Sequence, residues 1–594
     1  MNFSHSRSSG FSYMQKRKLS SFLSALTVLV MLLSACAPPP ATPAPTEAAA
    51  APTAAPPTAA PPTAAPAPTE APAASPAGVF PIVSEPTTLK VFMCPGPFVS
   101  DYQDNEYTYW LQEMSGITLE IEVPPLADAA AKMNLMLASG DFPDVIIGCL
   151  IGLDQQNVLA EQGVLVALDD YIADYGTEFA KVFENFPQIQ GLITLADGKI
   201  YGLPDINECY HCSLGQKMWL YQPWMDKLGL GMPTTTEEFY QVLKAFKERD
   251  PNGNGKKDEI PLSGTQRNPG GWNTQLDRFI MNAFVFNDVS TDNGAPSLMV
   301  ENGTIKAAFN QPGWREGLVY MRRLYSEGLI DPQAFTNDSP LIKALGENPD
   351  TVLLGATGAG WWGHFVQNGG PSGRFKEYTA IRPLIGPSGM RQVPFNSYVV
   401  TGGKAQFVIT SAAKNPLAAF RLADLMYSWE GSIRGSSGVL GEDWENLSAD
   451  TKMVGVDGGK ATWNQLNVWS GVEHNRHWNQ RTPRYVDMAI RMGMAYNPID
   501  PLERRLYEYT RDLMEPYQTK DKGVPPMALS SEQSKVFGDL KVNIYTVVDE
   551  WFANFIMGNN DINTEWEDYN AALDEAGLAA FLEIYQENYD AKYK

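Results

Sequence analysis

The folded part of this chain is predicted to be an α/β structure, and three observations lead there. From residue 89 to 147, short apolar runs of strand character alternate with single amphipathic segments, the pattern of parallel βαβ units. The stretch from about 80 to 594 is large enough for two lobes. A run of almost pure Ala, Pro and Thr over 37–78 separates that stretch from an apolar leader, which sets where folding begins.

The leader reads as an address. Lys16, Arg17 and Lys18 form a basic n-region, and Phe22 to Leu33 form an apolar segment too short for a comfortable membrane span. It ends in Leu33-Ser-Ala-Cys36, which resembles a bacterial lipobox, where the cysteine becomes the lipidated first residue of the mature protein. The resemblance implies an extracytoplasmic protein held to the membrane by acyl chains of the palmitate type on Cys36. An uncleaved anchor helix is the alternative, and the small residues before Cys36 speak for cleavage. Met14 could equally serve as the start. Residues 37–78 repeat PPTAA and carry no large apolar side chain, so they cannot offset the entropy cost of folding. As an extended tether at about 3 Å per residue, they would hold the folded part on the order of 100 Å or less from the membrane.

The net charge of −23 argues against nucleic acid, whose binding needs a basic face. Of five cysteines, four follow the leader: Cys94, Cys149, Cys209 and Cys212. Outside the cytoplasm these can oxidise. Cys209-x-x-Cys212 reads as a local disulfide, a redox pair or half of a zinc site. A second half-site and a thioredoxin-like context are both missing, which favours a structural disulfide or free thiols. Cys94 and Cys149 each end a predicted strand and could pair.

Taken in order, Leu89–Cys94 is a strand and Tyr107 to Met114 a helix ending near Gly116. Ile117 to Val123 alternates as a second strand. Ala127 to Ala138 is a helix stopped by Ser139-Gly140, with glycine suited to the position after the cap. Asp141 to Ile147 then turns into a buried strand. In open α/β sheets ligands bind beyond the carboxyl ends of the strands. Further on, Thr234-x-x-Glu237 reads as a capping box. Phe239, Val242, Leu243 and Phe246 follow at i, i+3, i+4 and i+7, one apolar face of a helix running to about Arg249.

That helix leads into Asp250-Pro-Asn-Gly-Asn-Gly-Lys-Lys-Asp-Glu-Ile-Pro261. Asp250, Asn252 and Asn254 occupy positions 1, 3 and 5 of a calcium-type loop, with Gly255 at position 6 for the sharp turn and the Lys256 carbonyl at position 7. The bidentate Glu expected at position 12 is replaced by Pro261. Asp258 and Glu259 bring carboxylates earlier. The competing reading is a solvated Asn/Gly turn. As a calcium site it would be structural, because nothing nearby supplies an acid or base for metal catalysis.

Several segments then carry a family resemblance: Leu135-Met-Leu-Ala-Ser-Gly-Asp-Phe-Pro-Asp-Val-Ile146, Gly198-Lys-Ile-Tyr-Gly-Leu-Pro204, Trp224-Met-Asp-Lys-Leu-Gly-Leu230, Gly328-Leu-Ile-Asp-Pro332, Phe407-Val-Ile-Thr410 and Gly441-Glu-Asp-Trp444. In that order, behind a lipobox, the chain resembles the extracellular solute-binding proteins that feed ABC importers. The closest likeness is to the carbohydrate-binding group that includes maltose-binding protein and LipO-type lipoproteins. The Asp250 loop is similar to the calcium site of the alginate-oligosaccharide-binding members.

The resemblance implies a two-lobed, type II periplasmic-binding-protein-like fold whose lobes are joined by three crossing segments. These are placed near Tyr201–Asn207, Phe395–Thr401 and residues 465–485. Lobe one is expected at 80–205 plus 400–470, and lobe two at 206–394 plus 471–594. It further implies a monomer that binds a carbohydrate, by family likeness an oligosaccharide, and hands it to ABC permease subunits without breaking a bond. A tryptophan at the strand end near Trp361 and Trp362 would stack on a pyranose, since an aromatic face suits its C–H surface. Trp272, Asn396, Tyr398, Trp469, Trp478 and Arg481 are further candidates near the crossings, although tryptophans are mostly buried in any fold. Glu473-His474-x-x-His477 lacks zinc-helix spacing and reads as surface or hydrogen-bonded histidines. A tethered glycoside hydrolase or lyase would need two carboxylates facing across a cleft. A sugar receptor that does not transport would share the binding fold.

Overall fold

The structure is a computed structural model that describes residues 75–594 apart from 97, 268–271, 289–295, 397–399, 468–471, 480, 499–500 and 528. The leader with Cys36, most of the tether, Tyr398 and Trp469 therefore lie outside the described residues. The strands that position the site are β1 (Thr87–Met93), β2 (Ile117–Glu122), β3 (Val145–Ile151), β4 (Gly202–Asn207), β5 (Met218–Tyr221), β6 (Ala356–Gly358), β7 (Tyr378–Ala380), β8 (Val400–Ile409) and β9 (Tyr485–Val486).

A six-stranded sheet runs in the order β9-β4-β8-β3-β1-β2. β1 is parallel to both β2 and β3, as the βαβ pattern requires, and the crossovers are the helices α1 (Glu106–Ser115) and α2 (Ala129–Ser139). Asn105 caps α1 by accepting the Tyr107 N–H, and Gly116 and Gly140 end the two helices in the left-handed region. β8 returns from far down the chain and runs antiparallel between β3 and β4. Behind this sheet, Val145, Ile147, Leu203, Phe407 and Ile409 form one buried cluster with Trp478.

The second lobe is built on β6-β5-β7, with β5 antiparallel to both neighbours. Trp219 of β5 sits at its centre, edge-on to Trp362 and Tyr509 at 5.7 and 5.6 Å between ring centroids. Around it pack α3 (Thr236–Glu248), α4 (Pro312–Ser326) and the long helix α5 (Ser531–Met557). Phe239, Val242, Leu243 and Phe246 of α3 are all buried, as their spacing predicts. The capping box falls one residue later than expected: Thr235 accepts from the Glu238 N–H, and Glu238 reaches back to Thr235 and Thr234.

The chain passes between lobes after β4, before β8 and after β9. The third passage departs from the expected boundary at 470. Tyr485 and Val486 pair with Ile206 and Asn207, and Trp478 is in the core of the first sheet, so residues 472–486 belong largely with lobe one. Disulfides close two loops. Cys94–Cys149 ties the ends of β1 and β3 across a sequence separation of 55. Loop-closure entropy makes that worth about 4 kcal/mol in the chain-entropy model. Cys209–Cys212 spans a separation of 3, where the same relation leaves only about 2 kcal/mol.

Candidate ligand-binding site

The carboxyl ends of β1 and β3 form the first-lobe side of the candidate site. Gly148 has φ +77°, and a Cβ there would meet the Cys94 carbonyl at 2.8 Å and the Arg481 backbone at 3.2 Å, so only glycine allows this approach. The Arg481 stem runs between Gly148 and Gly96, and its Nη1 donates to the Gly148 carbonyl at 3.4 Å. Burial pushes the Arg481 guanidinium below its ordinary range. Phe98, which sequence reasoning missed, stands at 39% exposure just beyond β1. Phe98, Leu150 and Asn479 all carry positive φ in this region, at 70°, 52° and 46°. Non-glycine residues held there cluster at ligand clamps more often than elsewhere.

The second-lobe side is aromatic. Trp272 and Trp361 are each partly exposed. The Trp272 indole lies on the backbone of Gly360, where a Cβ would fall 2.1 Å from its Cε3, and it also covers Gly215. The Gly360 N–H donates to the Trp272 carbonyl at 2.9 Å, fixing the indole beside Trp361 in the chain. Trp362 does not join them. It is fully buried, with its indole N–H donated to Asn368 at 2.9 Å and Arg505 over its face at 4.6 Å. Trp478 is likewise fully buried, bonded to the Thr108 hydroxyl and edge-on to Tyr107. Both of these tryptophans, expected at a cleft, pack core instead, because their neighbours wrap every face.

Between the lobes lies a polar hinge. Asn396, on the second crossing, donates its backbone N–H to the Ser213 carbonyl at 2.9 Å. With its amide oriented to the hydrogen-bond network, it also donates to both Asp288 oxygens at 3.0 and 3.2 Å. Asp205 and Arg484 form a buried ion pair, Nε to Oδ1 at 2.8 Å, tying β4 to the segment before β9. Arg491 pairs with Glu503 at 3.0 Å and also bonds Asn207. His211 faces Glu503 at 3.5 Å, yet burial holds its imidazole down to about 4. A cavity of about 160 Å³ opens beside this network, lined by Trp463, Gln465, Asn467, Arg484 and Arg491. That is below the usual size of a ligand pocket, and it holds a buried Arg491 Nε without a partner. A larger groove, about 1040 Å³, lies against the β2 edge and α2 and is lined in part by Phe92, Ile121 and Glu122 near the ends of β1 and β2.

The Asp250 loop folds around its own oxygens. Asp250 accepts the N–H groups of Gly253, Asn254 and Gly255, and it sits at φ 45°. Asn252 and Asn254 both donate to Asp258 at 2.9–3.1 Å, which holds that carboxyl below its ordinary range. Glu259 is the residue the loop leaves unsatisfied. Its Oε1 is buried with no hydrogen-bond partner, and burial, with the Asp250 and Asp258 charges, pushes its pKa up. An all-oxygen donor set with one buried carboxylate oxygen unmatched fits a hard cation.

His474 and His477 are hydrogen-bonded, as expected, but buried rather than at the surface. Their rings lie 3.9 Å apart, and each Nδ1 accepts a backbone N–H two residues on, from Arg476 and Asn479.

Two α/β lobes joined by three crossings, with polar and aromatic side chains gathered where the strands end, make a protein that closes on a solute. The chain matches the sequence profile of the bacterial extracellular solute-binding proteins over residues 100–432, more than half its length, and it belongs to that family. It is similar to the fructooligosaccharide ABC transporter substrate-binding protein FusA of Streptococcus pneumoniae, 28% identical over 476 residues, covering 78% of this chain and 83% of that protein. Lipoprotein LipO of Bacillus subtilis is 25% identical over 359 residues, 56% of this chain and 63% of its own. Among solved structures, S. pneumoniae FusA in complex with kestose has a TM-score of 0.71 at 26% identity, covering 85% of this chain and 99% of that one. No helix among the described residues is long and apolar enough to cross a membrane.

Proposed function

We propose that this protein is a lipid-anchored, monomeric receptor that captures an oligosaccharide between its lobes and delivers it to ABC permease subunits. The anchor is Cys36, and no bond in the sugar is broken. Trp272 and Trp361 offer their rings to the sugar's C–H faces, while Arg481 and Asn396 meet its hydroxyls. The observation that carries this reading is the pair of partly exposed tryptophans, Trp361 just past β6 and Trp272 packed on the Gly360 backbone, in a chain related to a fructooligosaccharide-binding protein.

Calorimetry with kestose and nystose, beside a panel of other glycans, tests it. Saturable binding is expected, with Trp361→Ala and Trp272→Ala each weakening it roughly tenfold, about 1.4 kcal/mol. Small-angle scattering should record compaction on binding. A panel with neither binding nor compaction would defeat the reading.

The Asp250 loop is the proposed site of a structural Ca²⁺, with Asp250, Asn252, Asn254, Asp258, Glu259 and the Lys256 carbonyl as ligands. FusA has been studied as an EF-hand mutant, which supports an equivalent site in this chain. Such an ion would engage the buried Glu259 oxygen and fix the loop after α3. Prolonged chelation is expected to lower stability by about 3 kcal/mol when free Ca²⁺ had stood near a hundred times its Kd. Asp250→Ala should abolish the chelator's effect on the melting temperature. Equal sensitivity in both proteins would rule the site out.

A further inference from the structure

Cys209, His211 and Cys212 lie at the end of the first crossing, in the turn where all three crossings meet. Their ligand-capable atoms are within 4.8 Å of one another. The His211 Nε2 is 3.5 Å from the Cys209 Sγ, while its Nδ1 faces the Glu503 carboxylate at 3.5 Å. Glu503 is held in turn by Arg491 at 3.0 Å. One imidazole nitrogen turned to the sulfurs and the other to an anchored carboxylate is the arrangement that orients histidine ligands at metal centres. The turn is also anchored on every side. Glu208 takes the Met488 N–H at 2.6 Å, its own N–H goes to the Val486 carbonyl at 2.8 Å, and Ser213 receives the Asn396 N–H at 2.9 Å.

The geometry points to a redox-gated site for a thiophilic divalent cation such as Zn²⁺, formed by the Cys209 and Cys212 thiolates and His211 once their disulfide is reduced. The loop that this disulfide closes is too short to add much to stability, unlike that of Cys94–Cys149. Cys212 is the more exposed sulfur and Cys209 the buried one. A dithiol reductant therefore attacks the Cys212 Sγ. The S–S bond breaks, its electron pair leaves on the Cys209 Sγ beside His211, and a mixed disulfide forms at Cys212. The reductant's second thiolate then displaces Cys212 and becomes a disulfide itself. The two protons of the reductant pass to solvent when the cation takes both thiolates. Two thiolates and a neutral imidazole leave a fourth position for water, in the tetrahedral geometry Zn²⁺ prefers.

The test uses the full-length protein, treated with dithiothreitol, desalted without oxygen and titrated with Co²⁺ and Zn²⁺. One Co²⁺ per chain is expected, with a thiolate-to-cobalt charge-transfer band that Zn²⁺ removes, and no band in the oxidised protein. Cys209→Ser/Cys212→Ser should abolish the band, and Glu503→Gln should weaken binding by roughly tenfold to a hundredfold. Alkylating the two thiols of the reduced wild-type chain should abolish it too, which covers a variant that fails to fold. Mass spectrometry should find Cys209 and Cys212 alkylated while Cys94–Cys149 persists. The proposal is overturned if the reduced, folded protein shows no band. It also fails if the band survives loss of these two cysteines, or if Cys209–Cys212 resists the dithiol until the protein unfolds.

Discussion

Asp205→Ala is expected to lower stability by about 3–5 kcal/mol in urea titration, the largest loss anticipated from one substitution at the hinge. The cost comes less from the lost attraction than from what stays behind. Arg484 is buried, its side chain 3% exposed, and Asp205 is its carboxylate partner across β4. Removing the partner leaves the buried cation without the carboxylate that accepts its hydrogen bonds. The same reasoning predicts the opposite result for a joint replacement: Asp205→Leu/Arg484→Met is expected to be close to neutral, because two apolar side chains leave no stranded charge. A single variant within 1 kcal/mol of the parent would show that water reaches Arg484 and that the pair is not the lock described here.

Acid should be nearly as damaging. His211 and His477 are both buried and are held neutral, His211 down to about 4 and His477 well below its ordinary value, in each case chiefly by burial. Glu503 opposes that shift at His211, while Arg491 and Lys217 reinforce it; His474 and Arg484 reinforce it at His477. Unfolded imidazoles take up protons near pH 6.5, whereas these two do not. Below that pH the unfolded chain binds more protons, so stability is full above about 6.5 and falls as the pH drops. The slope approaches about 1.4 kcal/mol per pH unit for each histidine only well below pH 6.5, so the pair loses at most about 3 kcal/mol between pH 6.5 and 5. Urea midpoints across that range should decline accordingly, and less steeply in His477→Gln. A flat profile would contradict the assignment.

Local signals carried much of this structure. The glycines at 116 and 140 end the predicted helices, the i, i+3, i+4, i+7 face of α3 is the buried one, and the strands around Val91 and Ile147 lie where apolar runs place them. The failures share a cause: they depend on contacts made across long sequence separations. Trp361 and Trp362 are neighbours of one type, and only the packing of Trp219 and Arg505 decides which of them is core. Residues 472–486 pair and pack with the first sheet, which the sequence hides because β9 is two residues long and its partner β4 lies far back in the chain. Glu503 and His211 are remote in sequence, so their meeting beside Cys209 was invisible. The capping box slipped by one because Thr234 and Thr235 are chemically alike, and both bond Glu238.

The position of β8 has a consequence for how the chain is made. It fills the gap between β3 and β4, so the first sheet cannot close until residue 409 has left the ribosome and the export machinery. Until then β3 and β4 present unpaired edges, which invite association with other chains. The sheet of the second lobe has no such wait: β5, β6 and β7 are complete by residue 380, before β8 and β9 of the first sheet have emerged. The part of the sequence translated first is therefore among the last to be finished, and slow, non-local pairing of this kind is where folding meets aggregation.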